Sequence, residues 1–138
     1  MGLIEKISNL KDGVHPILVK DCWQVVKINY SRDFDAKNSN VLYGNESGGF
    51  AISLLNGRAL LVSESLEKHL PSLISCSMVY GTSYYIPQGA SYTIVMDKDC
   101  ELFTVASPNE FPLKDKTRAL TSKEIDSIKV NADKEFRS

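Results

Sequence analysis

The run from Gly81 to Met96 (Gly-Thr-Ser-Tyr-Tyr-Ile-Pro-Gln-Gly-Ala-Ser-Tyr-Thr-Ile-Val-Met) constrains the fold more than any other stretch. A tyrosine-rich β run lies between a turn glycine and a Pro-x-Gly corner, and a second β-branched run follows. Pro87 presets φ near about −65° and Gly89 admits positive φ, so Pro87-Gln88-Gly89 turns the chain sharply between two strands. Tyr84 and Tyr85 are adjacent in an extended run, so they point to opposite faces.

The same punctuation recurs. Val14–Val19, Cys22–Tyr30 and Val41–Tyr43 read as strands, separated by the polar run Ser31–Asn40, a loop anchored by Phe34. On the second of these strands Trp23, Val25, Lys27 and Asn29 share one face. Phe50–Leu55 leads into Asn56-Gly57, a strong hairpin signal, with Arg58–Val62 expected to pair back. Cys76–Tyr80, Thr93–Met96 and Glu101–Ala106 continue the pattern. Residues 65–74 read as helical turns broken by Pro71 or as a loop. Residues 1–14, with Leu3, Ile4, Ile7 and Leu10 on one side, read as a short helix or an extended arm. Phe111–Lys114 reads as an irregular packing segment, and Thr121 with Glu124 has capping-box spacing that opens a short helix. Asn131–Ser138 reads as a frayed tail. Many short strands with little helical period predict an all-β antiparallel sandwich or barrel with short helical segments at the termini. A single domain over 1–138 is expected, with an arm at 1–14, a core barrel at about 15–107 and an extension at 108–138.

The spacing G-x5-P-x-G-x2-Y from Gly81 to Tyr92 resembles the second motif of the cupin superfamily, G-x5-P-x-G-x2-H-x3-N. The stretch from Tyr43 to Val62 is similar to that family's first motif, G-x5-H-x-H-x3,4-E-x6-G, with Gly57 as its final glycine. The resemblance implies an RmlC-like jelly-roll barrel. It also puts Tyr43 and Asn45 at the two histidine positions, Phe50 at the glutamate, Tyr92 at the second-motif histidine and Met96 at its asparagine.

Those substitutions decide the expected chemistry. A transition-metal site needs imidazole and carboxylate donors converging from neighbouring strands. A neutral phenol with a pKa near about 10 is a poor ligand, and a phenyl ring is none. No metal and no cofactor is therefore expected, and no catalytic residue is assigned. His15 and His69 lie outside both motifs and read as surface or structural histidines. The expected function is binding of a small polar, carbohydrate-like molecule in the barrel, with Tyr43, Asn45 and Tyr92 offering hydrogen bonds and Phe50 and Met96 an apolar wall. One alternative is a metal-independent sugar isomerase or epimerase, with tyrosine acids and Lys27 as a conceivable base. A structural or regulatory homodimer, pairing through residues 3–10 or the Val14–Val19 strand, is another.

Composition narrows the partners. The net charge of −1, with no basic block, gives no electrostatic footprint for nucleic acid or an anionic membrane. No apolar run is long enough to span a bilayer and no signal peptide is visible, so a cytoplasmic protein is expected. Cys22, Cys76 and Cys100 form no metal-binding pair and read as buried or half-buried free thiols. Trp23 reads as a core residue, and Arg32, Arg58 and Arg118 as solvated.

Overall fold

A computed structural model describes residues 3–46, 48–65 and 73–137. Ten strands form two five-stranded sheets. These are β1 (Gly13–Val19), β2 (Gln24–Asn29), β3 (Val41–Tyr43), β4 (Phe50–Asn56), β5 (Ala59–Glu64), β6 (Leu73–Ser77), β7 (Ser83–Ile86), β8 (Tyr92–Met96), β9 (Glu101–Ala106) and β10 (Lys116–Ala119). The first sheet runs β1-β2-β9-β4-β7 and the second β10-β3-β8-β5-β6, with antiparallel pairing throughout. The one α-helix among the described residues, α1 (Ser122–Phe136), follows β10.

Consecutive strands mostly change sheets, and the turn residues do the work. The chain crosses from β4 to β5 at Asn56-Gly57, from β7 to β8 at Pro87–Gly89, and from β8 to β9 at Asp97–Asp99. This corrects the hairpin expectation. Phe50–Asn56 pairs with β7 and β9, while β5 pairs with β6 and β8, so Asn-Gly makes a corner between sheets rather than a hairpin within one. An Asn-Gly pair fixes a sharp reversal, but the packing of two hydrophobic faces decides which strands become neighbours.

Period-2 alternation fills the space between the sheets. Phe50, Ile52 and Leu54 from β4 meet Tyr92, Ile94 and Met96 from β8, joined by Val26, Ile28 and Leu102. The alternate residues of the second sheet, Leu42, Leu60, Val62 and Val95, point outward and are covered by Ile128 and Ala132 of α1, with Ile125 and Phe136 beside them. That helix begins with the expected capping box: the Thr121 hydroxyl accepts from the Glu124 N–H, and the Glu124 carboxylate accepts from the Thr121 N–H.

Several other expectations are corrected. The helix is not short, and the polar tail is helical to Phe136 rather than frayed. No helix forms over residues 5–12, so the N-terminal segment is the extended alternative. Val79 and Tyr80 lie beyond β6, and Leu73 and Ile74 lie within it. Residues 66–72 of the 65–74 stretch, His69 and Pro71 among them, lie outside the described residues. The strand β10 was not foreseen, because Lys116–Ala119 is short and polar. Trp23 is half exposed just before β2, and Cys22 and Cys76 are exposed while Cys100 is buried. Arg118 is not solvated alone: it ties β5 to α1, its guanidinium pairing with Glu64 at 2.8 Å and with the buried Glu124 at 2.8 Å. These partners hold Arg118 firmly in its charged form.

Among the described residues no helix is long and apolar enough to cross a membrane.

Candidate functional site

Three of the five residues at the motif positions come together around Tyr92. Its ring meets Phe50 edge-on at 5.4 Å and Tyr43 at 6.4 Å, and Met96 belongs to the same core. Phe50, Tyr92 and Met96 are each 1% exposed, so they are packing rather than the walls of an open cup. The Tyr92 hydroxyl accepts a hydrogen bond from the Leu113 N–H at 2.9 Å. Burial pushes its pKa well above the usual phenol value, an effect the Leu113 bond only partly offsets. Such a phenol stays neutral and engaged.

Asn45 is fully buried and serves the second corner. Its Nδ2 donates to the carbonyls of Ile86 at 3.0 Å and Pro87 at 3.2 Å, and its backbone carbonyl accepts from the Gly89 N–H at 2.9 Å. The two motifs are thus pinned together by an amide where the family resemblance implies an imidazole. Asn45 Oδ1 has no hydrogen-bond partner among the described residues. One amide oxygen beside two phenols and a phenyl ring does not fit a divalent transition metal, and no step is routed through one. Among the described residues no group of three or more His, Cys, Asp or Glu side chains gathers at metal-binding distance.

His15 does not enter the barrel either. Its Nε2 lies 3.0 Å from the Lys11 carbonyl and 2.8 Å from that of Asp12, at the start of β1. Lys27, the conceivable base, points away from the interior core. Its ammonium pairs with Glu101 at 2.7 Å and reaches the Asn9 carbonyl at 3.4 Å.

Tyr43 is the exception. It packs against the core with one side of its ring and lines a cleft of about 970 Å³ with the other. This cleft lies at the edge of the second sheet. Its walls are the Arg32–Asn40 connection, β3, the Leu113–Lys116 segment and α1 near Ile125 and Lys129. Phe34, Tyr43 and Leu113 give it an apolar floor, while Arg32, Asp33, Lys37, Asn40, Lys116 and Lys129 make a polar rim. Lys116 and Tyr43 are register partners, so their side chains leave the sheet on the same face. Burial, and secondarily the Asp33 carboxylate, raises the Tyr43 pKa, so it presents a neutral hydroxyl to the cleft. Sequence reasoning missed this site because its cations come from three separate elements.

The connection that walls the cleft is locally braced. Ser31 caps the 3₁₀ turn Arg32–Phe34, and Asp35 caps the next, Ala36–Asn38. The Tyr30 hydroxyl donates to Asp35 at 2.6 Å. That bond, reinforced by burial, pushes the Tyr30 phenol up to about 12. Burial pushes the Asp35 carboxyl upward, but the Tyr30 hydroxyl, the Lys37 N–H and the nearby lysines outweigh it and hold Asp35 below 3.8. Because the native phenol keeps its proton longer than the unfolded one, its stabilisation is intact below about 10 and is lost as pH rises through about 12. The Asp35 contribution has the opposite sign: it is present above 3.8 and lost as pH falls through the lower native value. In Asp35→Asn the Tyr30 resonance is expected to titrate clearly below about 12, moved toward the ordinary phenol value by loss of the carboxylate while burial still holds it up. A midpoint that stays near 12 in that variant would contradict the assignment.

No family model matches the sequence, and no curated protein matches it. Solved structures do. An RmlC-like cupin family protein with a double-stranded β-helix fold, from Methanocaldococcus jannaschii, superposes with TM-score 0.53 at 18% identity, covering 78% of this chain and 94% of that one. A cupin-2 domain containing protein from Shewanella frigidimarina gives TM-score 0.52 at 12% identity, covering 72% of this chain and 84% of that one. Against the larger Fe(II) HppE structure the chain spans 43% of that protein's length, with TM-score 0.48 and 11% identity over 65% of this chain, too distant to carry an argument. The chain has the RmlC-like cupin fold. It is a divergent form of that fold, and Tyr43, Asn45, Phe50 and Tyr92 stand where the motif resemblance puts metal donors.

Proposed function

We propose that the chain is a cupin-fold binding module without chemistry of its own, taking a small polar, carbohydrate-like molecule at the Tyr43 cleft rather than deep in the barrel. One observation carries this reading. Tyr43 lines an open cleft with a polar rim and an apolar floor, whereas Phe50, Tyr92 and Met96 are sealed in the core. Pockets of this size and make-up suit small ligands. Asn45, though buried, contributes by holding the two motifs together beneath that edge. The exposed thiols of Cys22 and Cys76 suit a reducing, cytoplasmic setting.

Calorimetric titration with a panel of neutral and phosphorylated sugars tests this. One saturable site is expected, lost in Tyr43→Ala while the thermal transition stays cooperative. A panel without binding contradicts the reading, and turnover of a sugar nucleotide abolished by Tyr92→Phe would replace it with the isomerase alternative.

A specific observation favours self-association as well. Leu3, Ile4 and Leu10 are exposed on the N-terminal arm, and Leu55, Tyr85 and Val105 are exposed on the first sheet's outer face, which no described helix covers. These apolar groups would be buried if two copies paired through them, giving a homodimer. Light scattering at high micromolar concentration is expected to show a dimer that Leu3→Ser/Ile4→Ser weakens. A strict monomer contradicts this.

A further inference from the structure

The geometry points to a phosphate monoester as the ligand class of the Tyr43 cleft, an inference that rests on the binding reading above and gives it a chemistry. The cleft gathers Arg32, Lys37, Lys116 and Lys129 against the single carboxylate Asp33. That is a local surplus of three positive charges (four cations minus one carboxylate) in a chain whose net charge is −1. The cations reach it from three directions: Arg32 and Lys37 from the β2–β3 connection, Lys116 from β10 and Lys129 from α1.

Their lack of partners is the second observation. The ion pairs found among the described residues engage Lys27, Arg118 and Arg137. None of the four cleft cations has a carboxylate within ion-pair distance there. With Asp33 in the lining and Asp35 near Lys37 the four cations are only partly compensated, and a bound anion relieves the repulsion that remains. The Arg32–Asn40 wall is already preorganised by the Ser31 and Asp35 caps and the Tyr30–Asp35 bond, so binding has little backbone left to order there.

The choice of anion follows from charge and shape. A monocarboxylate would leave most of the surplus uncompensated. A phosphate monoester carries about −1.5 to −2 at neutral pH and offers three acceptor oxygens, which the Arg32 guanidinium can take in bidentate fashion while lysines serve as point charges. The cleft, at about 970 Å³, is larger than a phosphate group alone needs. The remainder of the ligand would rest on Tyr43 and Phe34, with Asp33 and the Tyr43 hydroxyl meeting hydroxyl groups on its body.

Calorimetric titrations of the full chain with glucose, glucose 6-phosphate and inorganic phosphate at low salt test the inference. The phosphate ester is expected to bind at least about tenfold more tightly than glucose, and inorganic phosphate to compete with it. Lys116→Ala and Lys129→Ala should each raise the Kd for the ester about tenfold without altering the unfolding midpoint. Lys134→Ala, on the same helix but away from the cleft, should leave it unchanged. Raising the salt should weaken the ester and spare glucose. If glucose and its phosphate bind equally and the lysine variants change neither, the anion inference fails and the binding reading survives. If none of the three ligands binds, both fail.

Discussion

Replacing Phe50 by alanine is expected to cost about 3–5 kcal/mol of folding stability, the range for truncating a fully buried aromatic side chain. Phe50 is 1% exposed and stands edge-on to Tyr92 at 5.4 Å in the middle of the barrel. Deleting its ring removes the apolar transfer term, the aromatic contact and the packing of β4 on β8 together. A domain of this size has a total stability of about 5–15 kcal/mol, so the variant should unfold at a much lower urea concentration. Phe50→Leu, which keeps most of the volume, should lose far less. The distinction matters because Phe50 stands where the resemblance implies a metal-binding glutamate. If the interior were a ligand cup with Phe50 as one wall, truncation would cost well under about 1 kcal/mol, as at exposed positions.

Gly57→Ala is the second large effect, and it tests the corner between the sheets. Gly57 has φ +80°, and a Cβ there would lie 2.8 Å from Cys100 Cα. The left-handed backbone alone costs an L-residue about 1–2 kcal/mol, and pushing the Cys100 backbone aside adds about 1–3 kcal/mol. Gly89→Ala is the control, since Gly89 has φ +87° but an added Cβ there meets nothing within 4 Å. It should show the conformational cost alone. Equal losses at the two glycines in equilibrium denaturation would mean that the Gly57–Cys100 approach is not as described.

The corners were legible in the sequence because their causes are local. A proline with fixed φ and a glycine with positive φ dictate a reversal whatever surrounds them, and Asn56-Gly57 and Pro87-Gln88-Gly89 both reverse the chain. Strand partners were not legible at Asn56-Gly57. The reversal is encoded in two residues, but the choice between a hairpin and a crossing depends on how Phe50, Ile52 and Leu54 meet Tyr92, Ile94 and Met96 across the barrel. The length of α1 was missed for a related reason. Ile125, Ile128, Ala132 and Phe136 form its buried stripe, while Asp133, Lys134, Glu135 and Arg137 made the same stretch read as a polar tail.

The candidate site divides along the same line. The motif spacing singled out Tyr43, Asn45, Phe50, Tyr92 and Met96, and two of their rings, Tyr43 and Phe50, lie against Tyr92. Spacing says nothing about whether a side chain faces a void or a neighbour. Tyr92 received the Leu113 N–H and Asn45 received two carbonyls, partners 21 and more than 40 residues away. The basic cleft had no linear signature at all, because Arg32, Lys116 and Lys129 become neighbours only when β10 and α1 close over β3. The small net charge, which argued against a polyanion partner, conceals this local concentration of positive charge.

Phe50, Tyr92 and Met96 are sealed in the core, and the proposed binding surface is the cleft at the edge of the second sheet. An amide and methyl NMR titration of the full chain with glucose 6-phosphate tests both at once. The predicted result is saturable shift changes confined to residues 32–43, 113–116 and 125–129, with the Met96 methyl and the Phe50 and Ile94 amides unmoved. Saturable shifts centred on Phe50, Tyr92 and Met96, with the cleft silent, would contradict it.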